Sequence, residues 1–166
     1  MNGLLIRPYR ADDAATLADV FHRAVHDGAA RKYSARQRRA WSPAPPDGPG
    51  WAARLATPDT IVAERHGRAI GFMTLDLTTG YLDFAYVAPE VMGQGVAETL
   101  YAVIEGRARV AGVGTLETEA SRLAEPFFLR RGWRLVGRQK VERHGVRIPN
   151  ARMVKDLSRA AATHAA

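Results

Sequence analysis

The sequence contains no cysteine, which excludes a disulfide framework, a thiolate metal site and a cysteine nucleophile. Long apolar runs are missing too, so no transmembrane helix is expected. Near the start, the aliphatic run Leu4-Leu5-Ile6 meets Arg7 at once, too short a core for a secretory signal. These absences point to a cytoplasmic protein. Histidines are few, and His22 and His26, although four apart, have no glutamate between them in the metalloprotease sense. No metal site is expected. Internal repeats are absent, and lysine is scarce beside arginine.

What is present is an ordinary globular composition. The 166 residues are 46% hydrophobic and 25% charged, which argues against a disordered chain. This length fits one domain burying about 70% of its unfolded surface, expected over residues 1–157 with a disordered tail at 158–166. The formal charge of +7 favours a polyanionic partner: nucleic acid, an acidic membrane surface or a phosphate-rich cofactor. Charge alone does not choose among them. The RQRRA run and the Arg130-Arg131 pair lack any recognition-helix or stacking motif and read as solvated faces.

Helix and strand signals alternate along the chain. A strand runs from residue 4 to near Arg10. Asp12 or Asp13 then caps a helix whose apolar positions Leu17, Val20, Phe21, Ala24 and Val25 share a face. A second helix is expected from Ser34 to Trp41, followed by a Pro- and Gly-dense loop over 42–50 and a short helix over 51–55. Residues 60–64 and 69–75 read as a hairpin turned at His66-Gly67, and 82–87 as a strand stopped by Pro89. A long amphipathic helix follows Gly93-Gln94-Gly95 and ends near Gly112. Residues 115–120 are extended, 123–131 form a short helix closed by Gly132, and 133–140 and 152–156 are the last strands. The pattern is an α/β domain.

The strand, the turn VAPEVMGQGVA and the long helix form the chemical centre. Glycines let a backbone approach an anion, and unpaired N–H groups of a first helical turn point at it along the helix dipole. No Lys-Ser/Thr follows, so this is not a P-loop, and Glu98 stands where a dinucleotide fingerprint needs its third glycine. A tight turn without a ligand is the plainer reading of these residues alone.

With its surroundings, this turn resembles that of the GNAT superfamily of N-acetyltransferases, whose signature is Q/R-x-x-G-x-G/A. Here it reads Met92-Gly93-Gln94-Gly95-Val96-Ala97, after Val87-Ala88-Pro89, and SRLAEPFFLRRGW matches the family's later segment. The resemblance spans residues 4–156. It implies a mixed, mostly antiparallel central sheet with a splayed strand pair, flanked by helices, and acetyl-CoA lying in the splay. Transferred by position, Ala85, Tyr86 and Val87 would pair their main chain with the pantetheine. The amides of Gly93, Gln94, Gly95, Val96, Ala97 and Glu98 would cradle the pyrophosphate. Ser121 either bonds the cofactor arm or caps a helix, and Phe127 and Phe128 pack against cofactor or core.

Two positions depart from the family pattern. Met92 stands where Gln or Arg is usual, which removes one polar contact. Phe128 stands where a tyrosine often protonates the departing thiolate, leaving that task to Tyr86 or water. An attacking amine must also lose a proton. Glu117 and Glu119 share a strand face by period two; Glu117 matches the family's acidic position best, Glu119 stays open, and Asp83 is a third candidate. Tyr33 and Trp41, with His26 nearby, fall where the family builds its acceptor wall. The implied activity is transfer of acetyl from acetyl-CoA to a small-molecule or peptide amine by direct attack in a ternary complex, without metal. A non-catalytic acyl-CoA sensor and a basic nucleic-acid-binding module are the alternatives. No membrane partner is implied; a homodimer is compatible with the family.

Overall fold

A computed structural model describes residues 3–158; most of the expected tail, 159–166, lies outside them. The chain runs β1 (Leu4–Pro8), a 3-10 turn (Ala11–Asp13), α1 (Ala14–Arg23) continued by a π-helical turn (Ala24–Gly28), α2 (Ala35–Trp41) and α3 (Gly48–Ala56). Then follow β2 (Asp59–Arg65), β3 (Arg68–Leu75), β4 (Leu82–Val87), a 3-10 turn (Pro89–Val91) and α4 (Val96–Val110). The chain continues with β5 (Thr115–Ala120), α5 (Glu125–Leu129), β6 (Arg134–Arg143) and β7 (Val146–Asp156). The strands form two antiparallel sheets, ordered β1-β2-β3-β4 and β5-β7-β6. No helix among the described residues is long and apolar enough to cross a membrane.

Local chemistry explains most boundaries. Ser34 accepts from the Gln37 amide at 3.1 Å while its own amide donates to Gln37 Oε1 at 3.0 Å, a reciprocal box that starts α2. Both hairpins turn on a His-Gly pair with positive φ: His66 and Gly67 between β2 and β3, His144 and Gly145 between β6 and β7. The second hairpin departs from the sequence reading, which places the last strands at 133–140 and 152–156; β6 and β7 are longer and meet at this turn. Pro149 is tolerated because β5 pairs only with Ala151–Asp156, so β7 has a single strand neighbour at that point. Likewise α3 begins at Gly48 rather than residue 51, with Pro49 in its first turn, where a missing N–H costs nothing.

β3 is buried on both faces because helices cover both. Phe72 meets Trp51 of α3 edge-on, 6.2 Å between ring centres, whereas a Cβ at its neighbour Gly71 would lie 3.2 Å from Leu100 of α4. Phe21, Trp51, Phe72, Phe84 and Tyr86 form one aromatic cluster on the α1–α3 side. The second sheet packs Leu116, Ala151 and Met153 into the same core as Phe128 and Trp133.

Candidate active site

Among the described residues, the two sheets are hydrogen-bonded to each other only where β4 begins. The Glu117 amide donates to the Gly80 carbonyl at 2.9 Å, Thr118 Oγ1 donates to the Leu82 carbonyl at 2.7 Å, and Tyr81 and Glu117 form a single parallel bridge. Gly80 makes this approach possible: its φ is +78°, and a Cβ there would sit 2.1 Å from the Thr115 carbonyl oxygen. Past Leu82 no ladder joins β4 to β5 among the described residues, and the strands part.

The free edge of β4 follows from alternation. Phe84 donates its amide to Thr74 Oγ1 at 3.0 Å, which compensates a bulge in the β3–β4 ladder, and Ala88 donates to the Ile70 carbonyl at 2.8 Å. From Phe84 onward, past the bulge, the even-numbered residues therefore turn their main-chain groups to β3, and Ala85 and Val87 turn their N–H and C=O groups to the opening. Tyr86, expected to offer its main chain beside theirs, spends it on Phe72 of β3 instead. Its side chain is what reaches the site.

At the far end of β4 the chain enters the glycine turn. Gly93 and Gly95 have φ of +77° and +84°, and a Cβ at either would touch nothing, so the demand for glycine is conformational rather than steric. The amides of Gly93, Gly95, Val96, Ala97 and Glu98 have no main-chain acceptor among the described residues. Only the Gln94 amide is used, donating to the Val91 carbonyl at 3.2 Å. Its side chain is pinned, accepting from Arg65 at 3.0 Å and donating to the Glu90 carbonyl at 3.0 Å. Five open donors at the N-terminus of a 15-residue helix suit a phosphate anion. Met92, in place of a polar residue, packs its sulfur where a Cβ on Gly28 would lie 3.2 Å away; the turn is thereby held against the end of α1.

A cavity of about 240 Å³ fills the opening between the strands. Phe21, Tyr33, Trp41, Phe84 and Tyr86 provide aromatic wall, and Arg54, Asp83, Glu119 and Arg143 provide its charges. Ala85, Ser121 and Phe128 also line it. Glu119 receives the Asn150 side-chain amide at 3.4 Å. Glu117, the better positional match from sequence, lies outside this cavity, at the closed end where the sheets join. Asp83 is ion-paired with Arg54 at 3.0 Å, so its carboxylate already has a partner within the cavity wall.

Two phenols of the cavity lining, Tyr81 and Tyr86, make no hydroxyl hydrogen bond to another described residue. Burial, then Glu119 and Asp83, push Tyr81 up to about 12. Burial, then Asp83, push Tyr86 higher still, so both remain protonated at neutral pH. Tyr33 differs: its hydroxyl donates to the Pro149 carbonyl at 2.6 Å and accepts the Arg122 amide at 2.9 Å, so it braces the wall rather than offering a free group. Trp41 stacks edge-on against Tyr33 at 5.3 Å and lies 6.4 Å from Tyr86.

Ser121 Oγ accepts the Ala124 amide at 3.1 Å, the capping alternative, while still lining the cavity. Phe128 is a core residue, 1% exposed. Phe127 lies outside the cavity, under the Arg131 guanidinium at 3.8 Å. His22 and His26 both bond Ser42, at 2.7 Å each, and no group of three metal-ligating side chains occurs among the described residues. Tyr81, Arg54, Arg143 and Asn150 were not singled out from sequence; each comes from a different element, and no local motif marks any of them.

Comparison with known proteins agrees with this geometry. The family model described as acetyltransferase (GNAT) domain matches residues 29–157. An uncharacterized N-acetyltransferase, YafP of Escherichia coli, is 33% identical over 150 residues, covering 90% of this chain and 94% of that protein. The crystal structure of a GCN5-related N-acetyltransferase from Rhodopseudomonas palustris superposes with a TM-score of 0.88 at 34% identity, covering 95% of this chain and 98% of the other. A phosphinothricin acetyltransferase from Sinorhizobium meliloti, solved with acetyl-CoA, shares the fold at 20% identity, with a TM-score of 0.73 over 93% of this chain and 89% of its own. The parted strands, the glycine turn and a relative one-third identical from end to end converge on one conclusion: this chain is a member of the GNAT superfamily, an N-acetyltransferase.

Proposed function

We propose that residues 1–157 form one catalytic domain that moves acetyl from acetyl-CoA to an amine by direct attack in a ternary complex. The observation that carries this reading is the free edge of β4 leading straight into five open amides at the start of α4. That donor set fits the co-substrate: an extended arm can pair with Ala85 and Val87 as an added strand, and a diphosphate can sit on Gly93 and residues 95–98. Bound acetyl-CoA supplies a thioester carbonyl carbon for an uncharged amine to attack, with the sulfur leaving as thiolate.

The chain's own residues divide the remaining work. The Val87 amide, turned into the opening, donates to the carbonyl oxygen as negative charge builds on it. Glu119 takes the proton of the acceptor nitrogen, directly or through water, as the C–N bond forms. The Tyr86 hydroxyl, free of other partners, gives a proton to sulfur as the C–S bond breaks. Thiols titrate near 8.5, so the departing sulfur needs this proton only in part. Tyr86→Phe therefore lowers kcat by about tenfold, less than the ~10²–10⁴-fold of a general acid on which the step fully depends, with the KM for acetyl-CoA little changed.

The reading is tested by amine-dependent release of CoA thiol, with acetylated product identified by mass spectrometry. Gly95→Glu forces a side chain into positive φ and puts a carboxylate at the anion cradle. It weakens acetyl-CoA binding by up to about 30-fold, the loss of a favourable helix-end interaction worth up to about 2 kcal/mol. Wild-type affinity in Gly95→Glu would contradict the cradle.

A further inference from the structure

We infer that the acceptor is a small amine that also carries a carboxylate, held at its far end by Arg143. This rests on the acetyl-transfer reading above and narrows its substrate class. Four charged side chains line the cavity, and two of them cancel, Arg54 and Asp83 at 3.0 Å. The other two, Glu119 and Arg143, have no ion-pair partner among the described residues. Glu119 holds only the Asn150 amide, although Arg152 stands opposite it in the ladder. Arg143 donates one N–H to the Glu142 carbonyl at 3.0 Å and leaves its remaining donors unspent.

The cavity thus offers one unmatched carboxylate and one unmatched guanidinium, with the uncharged wall of Val141, Ile148 and Pro149 between them. An ammonium alone would satisfy Glu119 and leave Arg143 without an anion. A molecule positive at one end and negative at the other satisfies both, and the planar guanidinium fork suits a carboxylate. The size agrees: about 240 Å³ falls just under the ~300–1,000 Å³ of drug-sized sites.

The ladder also fixes the order of magnitude of the spacing. Glu119 lies opposite Arg152 and Arg143 opposite Val146 on the same strand. That offset corresponds to roughly 20 Å along β7, more than two inward-reaching side chains close. The carboxylate therefore lies several bonds from the reacting nitrogen, unlike that of an α-amino acid.

The test measures kcat/KM for acetylation of glycine, 4-aminobutyrate, 6-aminohexanoate and 8-aminooctanoate, each against the alkylamine of matching length. The longer amino carboxylates exceed their alkylamines by about tenfold or more, and glycine gains nothing. Arg143→Gln brings the ratio to within about twofold of unity. Arg147→Gln, which removes the same charge from the same hairpin outside the cavity, leaves the ratio intact. Alkylamines turned over equally well, a preference that survives Arg143→Gln, or acetyl-CoA binding with turnover of neither series would each overturn the inference. Failure to bind acetyl-CoA at all would instead overturn the acetyl-transfer reading beneath it.

Discussion

Glu119→Gln lowers kcat/KM for amine acetylation by about 10²–10³-fold, within the usual range for loss of a general base. Glutamine keeps the shape of the side chain and can still bond Asn150, so the loss isolates proton acceptance from packing. Glu117→Gln changes the same quantity by less than about threefold, as befits an exposed carboxylate away from the reacting atoms. The two glutamates share one face of β5, but only Glu119 lines the cavity where β4 and β5 have parted. Initial rates of thiol release at saturating acetyl-CoA, with amine varied, check the difference. A large loss in Glu117→Gln beside a small one in Glu119→Gln would reverse the assignment.

Arg7→Ala destabilises the fold by about 3–5 kcal/mol, the cost of leaving a buried charge without its partner. In a chain of this size that lowers Tm by roughly 10 °C. Arg7 binds both oxygens of Asp13, each at 2.8 Å, and Glu64 at 2.6 Å. Arg7 is 9% exposed and Asp13 7%, so water cannot replace what is lost. The exposed pair of Arg23 and Glu90 gives the contrast, since Arg23→Ala costs about 1 kcal/mol or less.

Asp13 also sets a sign for acid stability. Burial works to raise its pKa, but the Arg7 hydrogen bond and the Arg10 amide bring it below the ordinary carboxylate value. A carboxylate that is more acidic folded than unfolded contributes stability above its unfolded pKa of about 3.9, and that contribution fades as pH falls through the folded value. Wild-type protein therefore loses this contribution below about pH 4, and Arg7→Ala flattens that part of the profile. Thermal melts across the acid range read both effects.

Much of the fold was legible because its signals are local. The glycine turn needed only a strand end, two glycines and a helix start, and all three fall within one short stretch. The first hairpin announced itself by His66-Gly67 between apolar runs. The same dipeptide at 144–145 is a weaker signal, since Pro149 interrupts the run that follows it and nothing nearby in the sequence reveals that β5 stops short of that proline. The cavity was less legible than the turn. Period two put Glu117 and Glu119 on one face, but their difference depends on where the sheets touch, which Gly80 decides from across the fold. Arg54, Tyr81, Arg143 and Asn150 meet through tertiary packing alone. Whether Asp83 or Glu119 retains a free charge depends on a helix-borne arginine that no motif connects to either.

Acetyl-CoA lying along β4 with its diphosphate on the start of α4 is tested most directly by calorimetric titration of the purified protein. One-to-one binding of acetyl-CoA and CoA, with no comparable heat from an unrelated nucleotide, is the predicted result. Absence of binding at millimolar acetyl-CoA would contradict it.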